Sequence, residues 1–248
     1  MGRIYQERSC AFVDFLGFKE LVRNKNPEDI YKIIWELSDL NKAGREHLSE
    51  DMKHQAFSDN IFINTPATSE GLMELIGQVR WLALTALEKG AFIRGGVTIG
   101  NISQNKQNNI LFGPALIEAY ELESKTALYP RIILSKTAFS LLESTYDSDF
   151  LKQQLCQSQD GVWYIHLFYN SIKDVYRDWE KTFKPIIEQA LNDNIDNPTI
   201  YKKIRWFAEY YNTTVEQEHA STIGLSVSAI KTLEMLPNDI TIKLPYWP

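Results

Sequence analysis

One short stretch indicates how the chain begins to fold: Phe12-Val13-Asp14-Phe15-Leu16-Gly17-Phe18. Its apolar residues predict a buried strand that carries a single carboxylate near its end. Gly17 follows three residues after Asp14 and lets the backbone turn into a short helix. A carboxylate at the edge of a sheet can hold a divalent cation, although a helix-capping aspartate explains this stretch equally well.

A second aspartate lies in a comparable setting, in the stretch Ala56-Phe57-Ser58-Asp59-Asn60. Polar and apolar residues alternate around it, which predicts two tightly joined antiparallel strands over His54–Phe57 and Asn60–Asn64. A plain turn aspartate also fits, because Ser-Asp-Asn is a favourable turn sequence. Two carboxylates on neighbouring strands could bind a pair of Mg²⁺ or Mn²⁺ ions, about 3.5–4 Å apart, of the kind that catalyses phosphoryl displacement.

The spacing of apolar residues predicts the elements that follow and precede these strands. Helices are expected from Asn26 to Leu40, from Gly71 to Lys89, from Ile110 to Thr126 and over Thr137–Leu142. Further strands are expected over Ala91–Ile99, Arg131–Leu134 and Val162–Leu167, with a polar loop over Ser103–Asn109. Residues 9–168 are therefore expected to form an α/β sandwich, in which helices cover a mixed sheet.

The C-terminal part of the chain has a different pattern. Apolar residues recur at helical spacing over residues 172–187 and again over residues 200–211, after Asn197-Pro198. We expect a helical hairpin here that packs on the core. The predicted organisation is one domain over residues 1–168 and a helical extension over residues 169–248.

Composition excludes several classes of protein. The 248 residues include 44% hydrophobic and 23% charged residues, which excludes disorder and coiled coil. The net charge of −6 argues against a nucleic-acid partner. We find no apolar run of membrane-spanning length, no signal peptide in the polar stretch Met1–Arg8 and only two cysteines, so we expect a cytoplasmic protein without a membrane partner. P-loop, GxSxG, CxxC and HExxH motifs are absent.

Four stretches occur in the order found in one enzyme family. They are Phe-Val-Asp14-Phe-Leu-Gly-Phe, Phe-Ser-Asp59-Asn, Arg94-Gly-Gly-Val-Thr-Ile-Gly and Leu-Phe-Gly113-Pro-Ala. Over about residues 8–168 the chain resembles the class III nucleotidyl cyclase catalytic domain, and most of all the bacterial Pycsar antiphage pyrimidine cyclases. The resemblance implies conversion of UTP or CTP to the 3′,5′-cyclic monophosphate and pyrophosphate, in active sites shared within a homodimer. It also implies that the cyclic product activates a separate effector protein.

The resemblance assigns roles to four residues of the first two stretches. Asp14 and Asp59 match the family's metal-binding aspartates, and the carbonyl group of Phe15 matches its backbone metal ligand. Phe18 and the amides of the turn match the segment that binds the triphosphate. The implied cofactors are two Mn²⁺ or Mg²⁺ ions per site.

The chain departs from the purine cyclases of this family at other positions. Gln55 and the stretch Asn109-Ile110-Leu111 stand where purine cyclases recognise the base, and Ile117 and Glu121 stand where they carry a transition-state Asn and Arg. A pyrimidine cyclase with a rebuilt pocket is the interpretation that the retained aspartates favour, because such a pair repels itself without a metal. A catalytically dead binding or dimerisation domain and an unusual purine cyclase are the alternatives.

Four residues are candidates for the missing contacts. Phe57 could stack on a pyrimidine ring or belong to the core, and Arg94 could bind a phosphate or a carboxylate of the fold. Two glycines follow Arg94 and would allow a ligand to approach the backbone. Lys125 could bind nucleotide or pair with Glu121 on the helix surface, and Arg131 is a further candidate.

Overall fold

The computed structural model describes most of the chain. The described residues are 4–18, 22–23, 26–28, 30–31, 51–105, 108, 110–168, 179–223, 241–242 and 244. The helix predicted from Asn26 to Leu40 lies mostly outside these residues. At its start, the backbone N–H of Glu28 donates to the side-chain Oδ1 of Asn26 at 3.0 Å, as expected of a helix cap.

The described residues form strands and helices in the following order. The strands are β1 (Gln6–Leu16), β2 (Lys53–Phe57), β3 (Asn60–Pro66), β4 (Phe92–Asn105), β5 (Ile110–Phe112), β6 (Ile132–Leu134), β7 (Leu155–Gln157) and β8 (Trp163–Ile165). The helices are α1 (Ser69–Glu88), α2 (Pro114–Glu121), α3 (Lys136–Glu143), α4 (Ser148–Gln154), α5 (Trp179–Asp193) and α6 (Pro198–Ile223). A turn of π-helix, Leu122–Thr126, continues directly from α2.

The strands form one mixed eight-stranded sheet in the order β2-β3-β1-β4-β6-β8-β7, with β5 paired to β4. The β4–β6 pair is parallel and the other pairs are antiparallel. Helix α1 packs on β1, β3 and β4, and α2 packs on β1 and β4. The predicted α/β sandwich with a mixed sheet is therefore confirmed.

Strand β1 is an interior strand of the sheet. It pairs with β3 on one side and with β4 on the other along most of its length. Cys10 and Phe12 point from β1 toward α2, where they form a buried cluster with Ala115 and Ala119. Because side chains alternate along a strand, Asp14 lies on the same face as Phe12, next to the end of this cluster.

The structure corrects the predicted boundaries around β4. Residues Ser103–Asn105, predicted as loop, continue β4, and Ile110–Phe112, predicted as the start of a helix, form β5. The two segments pair in antiparallel register, with Ser103 opposite Phe112. Hydropathy could not show this hairpin, because its side chains are largely exposed and one of its strands is almost entirely polar. Helix α4 and strand β7 were also not predicted.

Compact packing divides the chain into two units, Met1–Leu167 and Phe168–Pro248. In the second unit α5 and α6 pack together as the predicted helical hairpin. Phe168 stacks on Trp179, with ring centroids 4.8 Å apart, and Tyr211 donates a hydrogen bond to the carbonyl oxygen of Glu180 at 2.6 Å. None of the helices described is long and apolar enough to cross a membrane.

Arg131 has a structural position in the first unit. Its guanidinium donates to Oδ2 of Asp160 at 2.8 Å and to Oγ of Ser158 at 2.7 Å. The Arg131 side chain is 2% exposed, whereas that of Asp160 is 52% exposed. This contact ties the residue before β6 to the turn between β7 and β8. Arg131 therefore links two parts of the fold, and its role in nucleotide binding stays a prediction.

The Arg131–Asp160 contact predicts a pH-dependent contribution to stability. The hydrogen bond from Arg131 holds the pKa of Asp160 well below its usual range. A carboxyl group with a lowered pKa stabilises the fold above its unfolded pKa of about 4 and loses that contribution as the pH falls. Asp160→Asn should therefore lower the free energy of unfolding at pH 7 by about 1 kcal/mol, a modest value because solvent screens the half-exposed carboxylate.

Urea unfolding of both proteins at pH 7 and pH 3 measures this difference, which should shrink at the lower pH. Asp149→Asn is the matched control, because Asp149 is 86% exposed and pairs with Lys152, which is itself 70% exposed. A difference for Asp160→Asn that does not depend on pH would contradict the assignment.

Candidate functional site

The candidate site is a row of polar residues across three adjacent strands. In the register of the sheet, Asp14 on β1 lies directly opposite Asn60 on β3 and directly opposite Arg94 on β4. Directly opposed residues share a face of the sheet and approach closely. The predicted neighbours Asp14 and Asp59 are thus brought together, and Arg94 lies on the other side of Asp14.

The turn between β2 and β3 fixes Asp59. Ser58 adopts φ = 55°, a left-handed conformation that residues with a side chain rarely adopt. The carbonyl oxygen of Asp59 accepts a hydrogen bond from the backbone N–H of Phe15 at 3.2 Å. Its carboxylate Oδ1 accepts another from the Asn60 side chain at 3.1 Å. The backbone of Asp59 is therefore attached to β1 at the residue that follows Asp14.

Arg94 makes ion pairs with two carboxylates of its own chain. Its Nε and Nη2 each donate to Oδ2 of Asp14 at 3.2 Å. Its Nε also lies 2.7 Å from Oε1 of Glu123, in the π-helical turn after α2. The side chain of Glu123 is only 3% exposed, against 15% for Asp14 and 21% for Arg94. The partly buried Arg94 is thus paired with carboxylates of the fold, which is one of the two kinds of partner that the sequence allowed.

Gly96 explains how Glu123 reaches the sheet. A Cβ atom at Gly96 would lie 2.5 Å from the carbonyl oxygen of Ala119 and 2.5 Å from Cβ of Leu122. The missing side chain lets α2 and its π-helical turn lie against β4, next to Arg94. Gly95 similarly lies against β1, where its Cβ would meet Val13 at 2.6 Å. The expectation that these glycines admit a ligand is therefore corrected, because helix and strand occupy the space.

Burial raises the pKa values of two acids of the site, Asp14 and Glu123. The pKa of Asp14 is raised by burial, while the charge and hydrogen bonds of Arg94 lower it and the charge of Asp59 raises it. Burial raises the pKa of Glu123 to about 7, with Arg94 acting in the opposite direction. The guanidinium of Arg94 thus pairs with two carboxyl groups, those of Asp14 and Glu123, while the nearby charge of Asp59 raises the pKa of both. This balance leaves an excess of negative charge that a further cation would relieve.

The donor atoms fit a hard divalent cation with incomplete protein ligation. Among the residues that the structure describes, no group of three or more His, Cys, Asp or Glu side chains is arranged as metal ligands. Mg²⁺ commonly takes only one or two carboxylates and completes its shell with water and substrate phosphate. Asp14 and Asp59, with the adjacent carbonyl group of Phe15, match that pattern, and Arg94 would have to share Asp14 with the ion.

The other predicted site residues have varied positions. Gly17 turns the chain with φ = 77°, and the ring of Phe18 lies 6.3 Å from that of Phe15. Lys125 pairs with Glu121 at 2.6 Å on the surface, which is the alternative that the sequence offered. Phe57 ends β2 next to the turn that carries Asp59. Its stacking on a base stays a prediction.

Glu123 is the site residue that the sequence analysis missed, although the sequence contains a signal for it. Ala115, Ala119 and Glu123 recur at intervals of four, and the two alanines are fully buried in α2. An acid on the buried stripe of a helix requires a cationic or hydrogen-bonding partner, because an unpaired buried charge is costly. That rule, applied to the helix after Gly113, would have directed attention to Glu123 and to its need for a partner.

Comparisons with known proteins give matches of fold at low identity. No protein-family model and no curated protein sequence matches this chain. Its structure is similar to the monomeric guanylyl cyclase domain of the RhoGC fusion protein from the aquatic fungus Blastocladiella emersonii, at 14% identity over 65% of this chain and 95% of that chain, with a TM-score of 0.47. Adenylyl cyclase CyaB from P. aeruginosa gives the same identity, coverage and TM-score.

A bacterial light-regulated adenylyl cyclase is similar at 12% identity over 68% of this chain and 94% of that chain, with a TM-score of 0.48. The activities named here are those of the matched proteins.

The packing over Gly96 predicts that two Gly→Ala substitutions have opposite effects on the free energy of unfolding. Gly96→Ala should lower the free energy of unfolding by about 1–3 kcal/mol, because the new methyl group must displace the π-helical turn. Gly77→Ala, within α1 and with nothing within 4 Å of its Cβ position, should raise it by about 0.5–1 kcal/mol. Urea unfolding of both variants measures these effects. A neutral Gly96→Ala variant would show that the turn does not lie tightly on β4.

Proposed function

We propose that the chain is a metal-dependent nucleotidyl cyclase that converts UTP or CTP to the 3′,5′-cyclic monophosphate and pyrophosphate. The observation that carries this proposal is the juxtaposition of Asp14 and Asp59, held by the contact between the Phe15 N–H and the Asp59 carbonyl oxygen. These are the two positions at which the sequence motifs resemble the metal aspartates of class III nucleotidyl cyclases. The site is also short of positive charge, as a site for divalent cations should be.

Each residue of the site has a proposed task. Asp14 and Asp59 hold the cations, with the carbonyl group of Phe15 beside them. When bound, Mn²⁺ or Mg²⁺ would neutralise the triphosphate and lower the pKa of the ribose 3′-hydroxyl group. The amides of the turn at Gly17 and Phe18 face the triphosphate. Among the described residues Nη1 of Arg94 has no hydrogen-bond partner, so this donor can reach a phosphate oxygen.

Pyrimidine selectivity is the finer part of the proposal. It is supported by the absence of charged base-reading groups at Gln55 on β2 and at Ile110 on β5. Phe57 would supply the face of an aromatic ring to the base. Of the two pyrimidine nucleotides, we take UTP as the first substrate to test.

Assembly and biological role also belong to the proposal. Helix α2 exposes the apolar side chains of Ile117 and Tyr120, which are 61% and 51% exposed. Large exposed apolar side chains on one helix support an interface, and we assign it to a second copy of the chain that completes the active site. The cyclic product would act on a separate effector in antiphage defence, as the sequence resemblance implies.

One observation favours a second candidate, a cyclase-like binding domain without turnover. Arg94 already neutralises part of the charge of Asp14, and Ile117 and Glu121 lack the chemistry of the usual transition-state residues. Such a domain would bind nucleotide and release it unchanged. Turnover with metal therefore separates the two candidates.

The proposed metal aspartates predict a loss of activity with little change of fold. The protein is incubated with Mn²⁺ and each nucleoside triphosphate, and cyclic products are identified by mass spectrometry. Asp14→Asn or Asp59→Asn should lower kcat at least about 100-fold, because weakening the metal interaction costs several kcal/mol of barrier. Asp149→Asn, an exposed surface change, is the control and should keep the wild-type rate. Near wild-type rates in either site variant would remove the metal assignment.

The proposed base pocket predicts substrate choice. UTP or CTP should give higher kcat/KM than ATP or GTP. Phe57→Ala should lower kcat/KM for the preferred pyrimidine about 5- to 150-fold, since base stacking contributes about 1–3 kcal/mol. Phe57→Tyr keeps the ring and should keep most of the activity. If ATP or GTP is the best substrate, the enzyme is a purine cyclase with unusual base contacts.

A further inference from the structure

The guanidinium of Arg94 is shared unequally by two carboxylates. Its Nε lies 2.7 Å from Oε1 of Glu123, whereas Nε and Nη2 lie 3.2 Å from Oδ2 of Asp14. Glu123 is the more deeply buried partner, with 3% of its side chain exposed. Both hydrogen bonds from Arg94 to carboxylates go to Asp14, whereas the buried Oε1 of Glu123 lies against Nε as an ion pair and has no hydrogen-bond partner among the described residues.

The position of Arg94 between the carboxylates of Asp14 and Glu123 determines whether Asp14 is available to bind a cation. A divalent cation bound by Asp14 would repel the guanidinium, because both positive charges need the same carboxylate. Arg94 can leave Asp14 only if another negative group holds it, since a buried charge without a partner is strongly destabilising. Glu123 is such a group and is already within reach.

We propose that Glu123 is a positioning residue that retains Arg94 when a divalent cation binds Asp14. The inference rests on the proposed function in one respect, namely that Asp14 and Asp59 bind the cation. The inference assigns a role to a residue outside the metal-binding pair. It also explains why an acidic residue, Glu123, lies buried in the π-helical turn. Without Glu123, Arg94 has only Asp14 as its carboxylate partner among the described residues and blocks the cation.

The surroundings of Glu123 argue for a charged role over a packing role. Glu123 continues the stripe of α2 that contains the buried alanines Ala115 and Ala119. An apolar residue would continue that stripe without the cost of burying a carboxylate. The absent side chain of Gly96 lets the backbone N–H of Glu123 approach to 3.2 Å from the Cβ position there. The helix is thus placed where the Glu123 carboxylate meets Arg94.

The test is the affinity for Mn²⁺ alone, measured without nucleotide from the electron paramagnetic resonance signal of the free ion. Four proteins are compared with the wild type: Asp59→Asn, Glu123→Gln, Glu123→Asp and the double variant Arg94→Gln/Glu123→Gln. Glu123→Gln should raise the Kd for Mn²⁺ about tenfold, a size expected for directly coupled neighbours. The double variant should return to within about threefold of the wild type, because the guanidinium that blocks Asp14 is gone.

Glu123→Asp separates position from charge. It keeps the negative charge and shortens the side chain by one methylene group, so it should bind Mn²⁺ almost as weakly as Glu123→Gln. Circular dichroism and thermal melting confirm that each variant is folded. The double variant guards against a misfolded single variant, since replacing both members of a buried pair is commonly tolerated.

The outcomes separate this inference from the proposed function. Wild-type protein that binds Mn²⁺, with binding weakened by Asp59→Asn but not by Glu123→Gln, overturns the inference and leaves the proposed function standing. Wild-type affinity in Glu123→Asp also overturns it, because charge without position would then suffice. Wild-type protein without an Asp59-dependent Mn²⁺ site overturns both.

Discussion

The ion pair of Arg94 with Asp14 and Glu123 is the interaction on which the rest of the site depends. It joins the interior strand β1, the neighbouring strand β4 and the turn after α2 through one guanidinium. Buried charges of this kind are stable only when each has a partner. The sheet register, the glycines of β4 and the π-helical turn all serve to bring these partners together.

The register of β1 is what makes the arrangement possible. Asp14 has Arg94 directly opposite on one side and Asn60 on the other, so one strand position meets both a cation and the turn that carries Asp59. A slip of one residue would turn Asp14 to the opposite face, away from Glu123 and Arg94. The buried cluster of Cys10 and Phe12 with α2 opposes such a slip, because it would expose both side chains. The packing of the core therefore also holds Asp14 in the register that places it opposite Arg94.

The sequence predicted those features that depend on local pattern. Alternation around Ser58-Asp59 predicted the β2–β3 hairpin, and the apolar run around Asp14 predicted strand β1, so the proximity of the two aspartates followed. The β4–β5 hairpin escaped because a polar strand on an exposed hairpin has no hydropathy signal. The contact of Arg94 with Glu123 was not predicted for a different reason, because the two residues come together only through tertiary packing over Gly96. The spacing from Ala115 and Ala119 would have indicated that Glu123 is buried, but not which cation it meets.

The most direct measurement is a crystal structure of the protein with Mn²⁺ and 3′-deoxy-UTP, which lacks the attacking hydroxyl group, using the anomalous scattering of manganese to locate the ion. The account predicts manganese bound to the carboxylates of Asp14 and Asp59, with the guanidinium of Arg94 held by Glu123 and no longer by Asp14. Manganese bound elsewhere, or an intact Arg94–Asp14 pair beside a nucleotide without metal, would contradict it.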